Sequence, residues 1–165
     1  MEKVISNFNG FPSQKSVAMV MLRHGIRVSD GTAYCGNIMI SDTALGKAAG
    51  VDRRVVRSTI DHIESIPLLK SVFSKLNSMS LLSDVAPFIG CTTLEIIPVD
   101  ARIPGILADV TKTIYDAGIS VRQAVVDDPG LQKDAHLIIV LDGQLPPEYI
   151  PKLKSCRGVD SIIIR

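Results

Sequence analysis

Arg53, Arg54 and Arg57, followed by Ser58, stand close together in the run Asp52-Arg53-Arg54-Val55-Val56-Arg57-Ser58. A planar guanidinium pairs bidentately with a guanine edge and also grips phosphate oxygens, so arginines at this spacing suit contact with double-stranded DNA. On a helix starting after Asp52, these arginines occupy neighbouring faces of the first two turns, and at least two can enter one groove. Another reading of the same residues is a solvated helix face, because arginine is a good helix former.

Other chemistry is hard to assemble. His24, His62 and His136 lie in different segments without metal-ligand spacing and read as surface or capping residues. Cys35, Cys91 and Cys156 are odd in number and far apart, which suggests neither a disulfide framework nor a zinc site. Asp127-Asp128-Pro129-Gly130 is a turn signal rather than a cation site. No phosphate loop or nucleophile elbow is present, so no catalytic residue, metal or cofactor is expected, and the chain reads as a non-enzyme. Aromatic residues make up 4% with no Trp, which argues against a stacking platform for single strands. Residues 1–90 carry ten Lys/Arg against seven Asp/Glu, whereas residues 91–165 carry eight against ten, so any nucleic-acid contact belongs to the first half. No apolar run nears the roughly 18 residues that span a bilayer, and the first residues lack a signal-peptide core. A cytoplasmic protein without a membrane partner is expected.

The arginines need a helix pair to present them. Ser41 to Ala49 and Asp52 to Glu64 have helix-turn-helix spacing, with Gly50 at the turn, Ser41 and Asp52 as N-caps, and Gly46 small where the helices approach. Leu45, Ala49, Val51 and Val56 supply the shared apolar contacts, while Thr59, beside Ile60, takes a late core position. Before the pair, a helix is expected over Pro12–His24, closed by Gly25. A hairpin follows over 26–35 on an Asp30-Gly31 type I′ turn. After it, Leu68, Leu69, Val72, Phe73 and Leu76 mark a further amphipathic helix. The apolar stretch 81–88 leads to a junction at Gly90-Cys91-Thr92.

The second half alternates strand and helix. Strands are expected near 93–99, 119–126, 135–141 and 159–164. One helix is expected over 104–117, with Pro104 in its first turn and Gly118 closing it, and another from Pro146-Pro147 to about Cys156. That βαββαβ order is ferredoxin-like. An RNA-recognition motif would need stacking aromatics, absent from Leu94–Val99 and His136–Leu141, and a copper carrier would need Cys-x-x-Cys where Asp100-Ala101-Arg102-Ile103 stands.

The segment Pro104-Gly105-Ile106 through Gly118-Ile119-Ser120-Val121, set between its two strands, resembles the opening of an ACT domain. Together with Gly31-Thr32-Ala33-Tyr34-Cys35-Gly36, Gly50-Val51-Asp52-Arg53-Arg54-Val55-Val56, and Arg122-Gln123 through Asp127-Asp128-Pro129, the chain resembles archaeal predicted regulators of amino acid metabolism. The fold implied is α+β: a mostly helical helix-turn-helix domain over 1–90, then a ferredoxin-like βαββαβ ACT domain over 91–165. The resemblance implies a ligand-responsive transcription regulator, forming a homodimer or higher even oligomer and sensing an amino acid or related small anionic effector. In such domains the effector lies at a subunit interface, against the loop before the first helix and a neighbouring second strand. Here that implies Asp100, Arg102, Gly105, Ile106, Ser120, Arg122 and Gln123, with Gly105 and the helix start receiving a carboxylate. A bulky side chain at Gly105 would block that approach without unfolding the chain. Many family members have Asn or Asp where Arg102 stands, and arginine favours a more anionic effector or none. The alternative to a DNA-binding regulator is a regulatory or assembly subunit of a metabolic enzyme.

Overall fold

In a computed structural model, residues 1–132 and 134–165 are described, and they form two units, Met1–Ser80 and Leu81–Arg165. The first unit begins with a short helix α1 (Glu2–Ile5) and a single tight turn that buries Phe8. Helix α2 (Pro12–His24) starts at the expected proline, buries Val17, Ala18, Met21 and Leu22, and ends at Gly25. Strands β1 (Arg27–Ser29) and β2 (Thr32–Cys35) pair antiparallel across Asp30 and Gly31. Both turn residues have positive φ, as a type I′ hairpin turn demands. A third strand, β3 (Ile38–Ile40), pairs with β2 and was not legible in the sequence. It is three residues long with Ile38 and Met39 both exposed, so it shows no alternating pattern.

Three helices complete the unit: α3 (Asp42–Ala49), α4 (Arg53–Ser65) and α5 (Pro67–Phe73). Helix α4 buries Val56, Thr59, Ile60 and Ile63, and α5 buries Leu69 and Phe73 while leaving Leu68 exposed. Fully burying each such aliphatic or aromatic side chain contributes about 1.5–3 kcal/mol, so this apolar stripe, rather than helix propensity, holds α4 in place.

The second unit is a four-stranded antiparallel sheet in the order β5-β6-β4-β7, from β4 (Thr92–Pro98), β5 (Val121–Val126), β6 (Leu137–Leu141) and β7 (Val159–Ile164). Helices α6 (Ile106–Asp116) and α7 (Ile150–Lys154) complete the βαββαβ order. Leu94 and Ile96 of β4 and Leu137, Ile139 and Leu141 of β6 pack with Val110 and Ile114 of α6 and Leu153 of α7. The chain is therefore α+β, a helix-turn-helix unit followed by a ferredoxin-like one.

Three boundaries differ from the sequence reading. Pro104 lies in the loop before α6 rather than in its first turn, because Gly105, at φ +97°, breaks the helical path immediately before Ile106. The second helix is shorter than expected: residues Pro147–Tyr149 form a tight turn, and α7 proper runs only over Ile150–Lys154. The units divide after Ser80 rather than at Gly90-Cys91-Thr92. The reason is local packing: Leu82 and Ala86 join Cys91 and Val140 in a small cluster on the sheet face that the helices leave open. Thr93 Oγ1 donates to the Ser83 carbonyl at 2.7 Å and Leu82 N–H to Gln123 Oε1 at 2.8 Å, so segment 81–90 is a strap of the second unit.

Candidate nucleic-acid interface and effector site

The turn between α3 and α4 is built as its sequence requires. Ser41 Oγ accepts the Ala44 N–H at 3.2 Å and an Asp52 carboxylate oxygen accepts the Arg54 N–H at 2.8 Å, so each helix start is capped. Gly50 takes φ +68°, and Val51 N–H returns to the Gly46 carbonyl at 2.9 Å, closing the reversal. A Cβ on Gly46 would stand 2.8 Å from the Val51 carbonyl oxygen, so only glycine permits this approach. Leu45 and Val56 are buried, whereas Ala49 and Val51 are half-buried. Thr59 is fully buried, and its hydroxyl donates to the Val55 carbonyl at 2.7 Å, which satisfies a polar group in an apolar stripe.

Arg53, Arg54, Arg57 and Ser58 are all exposed on α4, but they divide into two pairs. Among the described residues, the Arg53 and Arg54 guanidinium groups have no hydrogen bond or ion pair. Arg57 is engaged through all three guanidinium nitrogens: Nη2 and Nε donate to Asp42 Oδ2 at 2.7 and 3.1 Å, and Nη1 donates to the Gly31 carbonyl at 2.6 Å. Ser58 Oγ accepts from Gln14 Nε2 at 2.7 Å. The sequence reading missed Gly31, Asp42 and Glu64, whose carboxylate accepts the Gly31 N–H at 2.8 Å. No local spacing signals this group, because the hairpin tip meets α4 only in the folded unit.

The expected effector residues fall at two ends of the second sheet. Ile96 and Val126 both pair with Leu137, which places the loop of Asp100, Arg102 and Gly105, with Ile106 at the start of α6, at that end. Thr92 and Val121 both pair with Leu141, which places Ser120 and Arg122 at the other. At the first end, Asp100 caps its own loop by accepting the Arg102 N–H at 2.9 Å. A cavity of about 200 Å³ beside Gly105 is lined by Pro98, Ile103, Leu107, Val126 and Leu137, with His136 among them. An adjoining polar cavity of about 550 Å³ is bordered by Asp100, Arg102, Asp134 and His136.

At the second end, Arg122 Nη1 lies 3.5 Å from Asp142 Oδ1 and 3.7 Å from Cys91 Sγ. Gln123, one residue on, holds the strap through Leu82. The seven residues are therefore not gathered into one site within a single chain. His136, expected at the surface or as a cap, is half-buried instead, with Nδ1 2.8 Å from a Glu95 carboxylate oxygen. The other Glu95 oxygen accepts from Arg165 Nη2 at 2.8 Å, so the carboxylate is bridged by two basic groups. Among the described residues, no group of His, Cys, Asp or Glu is placed to hold a metal ion, and no helix is long and apolar enough to cross a membrane.

No protein-family model matches this sequence, and no curated protein matches it. Similar solved structures include a homoserine dehydrogenase from Thiobacillus denitrificans, 16% identical, with a TM-score of 0.36. That match covers 73% of this chain and 26% of the dehydrogenase, so the chain spans about a quarter of its length. A point mutant of Rv3291c is 11% identical over 92% of this chain and 89% of its own, with a TM-score of 0.31. PH0061 is 9% identical over 92% and 88%, with a TM-score of 0.28. All three superpose loosely.

Proposed function

We propose that this chain is a dimeric, ligand-responsive transcription regulator, with DNA bound through α3 and α4 and an effector bound by the second unit. The observation that carries the reading is the capped, glycine-turned helix pair with two exposed arginines, Arg53 and Arg54, unpartnered among the described residues, at the start of its second helix. Base-edge contacts from such a position supply specificity, and phosphate contacts supply affinity. Its effector is an amino acid or a related small anion of amino acid metabolism. Arg102 at the mouth of the polar cavity and Gly105 before α6 support an anionic ligand. The wide separation of Arg122 from the 100–106 loop supports a site completed by a second copy. Antiparallel apposition of two β5 edges exchanges strand ends and brings Arg122 of one copy beside that loop of the other. The chain itself performs no catalysis.

The engagement of Arg57 and Ser58 inside the first unit favours a second reading, a helix pair that packs against a metabolic enzyme as a regulatory or assembly subunit. Fluorescence anisotropy of a mixed-sequence duplex at low and moderate salt separates the two. A regulator binds at low salt and weakens steeply as salt rises. Absence of binding at low salt, where even non-specific attraction shows, removes the DNA reading and leaves the protein-packing one.

A further inference from the structure

Arg57 is the centre of a clamp that joins three elements. Its Nε and Nη2 both reach Asp42 Oδ2 in the first turn of α3, while its Nη1 reaches the Gly31 carbonyl at the tip of the β1–β2 hairpin. Glu64, two turns further along α4, takes the Gly31 N–H, so both backbone groups of the tip residue are bound to this one helix. A Cβ on Gly31 would stand in ordinary van der Waals contact with the Arg57 guanidinium, at 3.6 Å. Charge-assisted bonds to a carboxylate are the stronger class of hydrogen bond, and a guanidinium fork fixes direction as well as distance. With Nε, Nη1 and Nη2 each already donating, Arg57 could turn its whole fork onto a base only by giving up Asp42 or Gly31, and losing Asp42 would leave that carboxylate facing a polyanion. Arg53 and Arg54 give up nothing.

We propose that Arg57 is a positioning residue rather than a DNA reader: through Asp42 and Gly31 it fixes the angle of α4 against α3 and the hairpin, and Arg53 and Arg54 make the contacts. The assignment rests on the DNA-binding reading above but makes a separate claim about the clamp. It also gives Asp42, an acidic residue in the first turn of α3, a role on a unit proposed to meet a polyanion. If field strength alone mattered, Asp42 would be a liability there.

The test measures duplex affinity against salt for the full chain and for R54Q, R57Q, R57K and D42N. R54Q is expected to lower the slope of log affinity against log salt by about one counterion. R57Q is expected to lower affinity several-fold with the parent slope, R57K to recover part of it, and D42N to lower affinity although it removes a negative charge. Tighter binding by D42N, together with a reduced slope in R57Q, would make Arg57 a phosphate contact and overturn the assignment. Should the parent bind no duplex at all, the DNA reading fails by itself, and the clamp is judged from amide hydrogen exchange at Gly31. Faster exchange there in R57Q and D42N supports the clamp; unchanged exchange in both overturns it.

Discussion

A single atom decides the fate of two glycines, for opposite reasons. Gly46 has no unusual φ, but a methyl group there would press on the Val51 carbonyl at 2.8 Å, against backbone that cannot swing away. Gly105 has open space around its missing Cβ and a φ of +97° that L-residues rarely adopt. Gly46→Ala should therefore cost about 1–3 kcal/mol as overpacking of the α3–α4 turn, and Gly105→Ala about 1–2 kcal/mol as backbone strain alone. Urea unfolding of each variant checks both figures, and a Gly46→Ala protein as stable as its parent would show that the turn is looser than its geometry. The strain at Gly105 also revises the expectation that a bulky side chain there leaves folding untouched. Loss of ligand binding in such a variant counts only beyond its loss of stability.

Among the elements, the 81–90 strap has the least obvious role. It is a loop with one tight turn, yet it closes over the sheet face opposite the helices by burying Ala86 and holding two hydrogen bonds to strand residues. Thr93 is fully buried and Ser83 nearly so, which makes their bond expensive to lose: Thr93→Val leaves a buried carbonyl without its donor, a cost of about 1–3 kcal/mol. We expect that loss in thermal or denaturant melts of the second unit, accompanied by faster amide exchange at Leu82 and Ala86. A neutral Thr93→Val would mean that apolar packing alone retains the strap. Gln123, on β5, holds this element by accepting the Leu82 N–H at its side-chain oxygen.

For the whole molecule, the open question is what completes it. Strands β5 and β7 are the outer strands of the second sheet, and Val121 and Val126 on one, with Ile163 and Ile164 on the other, remain substantially exposed. Unpaired apolar edges of this kind invite association, and natural proteins otherwise guard them with charge or proline. An even oligomer is therefore expected, and under the DNA reading proposed above its two α4 helices would meet half-sites roughly 34 Å apart, one turn of duplex, or at a multiple of that. Sedimentation at tens of micromolar, an ordinary range for specific dimers, checks the assembly. A monomer there would remove the dimer and with it the two-chain effector site.

The elements themselves were legible in the sequence where a local rule fixes them. Pro12 and Gly25 bound one helix, Ser41, Gly50 and Asp52 punctuate the helix pair, and Asp30-Gly31 turns the hairpin, because capping and left-handed turn conformations depend on a few adjacent residues. The βαββαβ order could be read from alternating strand and helix periods for the same reason. Strand β3 escaped, since three residues, two of them exposed, carry no pattern, and its existence depends on β2 being there to pair with. The strap was legible as an apolar stretch, but not as a part of the second unit, because that depends on where Val140 and Gln123 come to lie. The site divided along the same line. Four residues of the same polar character stood together on α4, and only tertiary structure gave Arg57 to Asp42 and Gly31, and Ser58 to Gln14, while leaving Arg53 and Arg54 exposed and, among the described residues, unpartnered. Sequence determines which side chains can bind; partners brought from distant positions in the chain decide which of them are already taken.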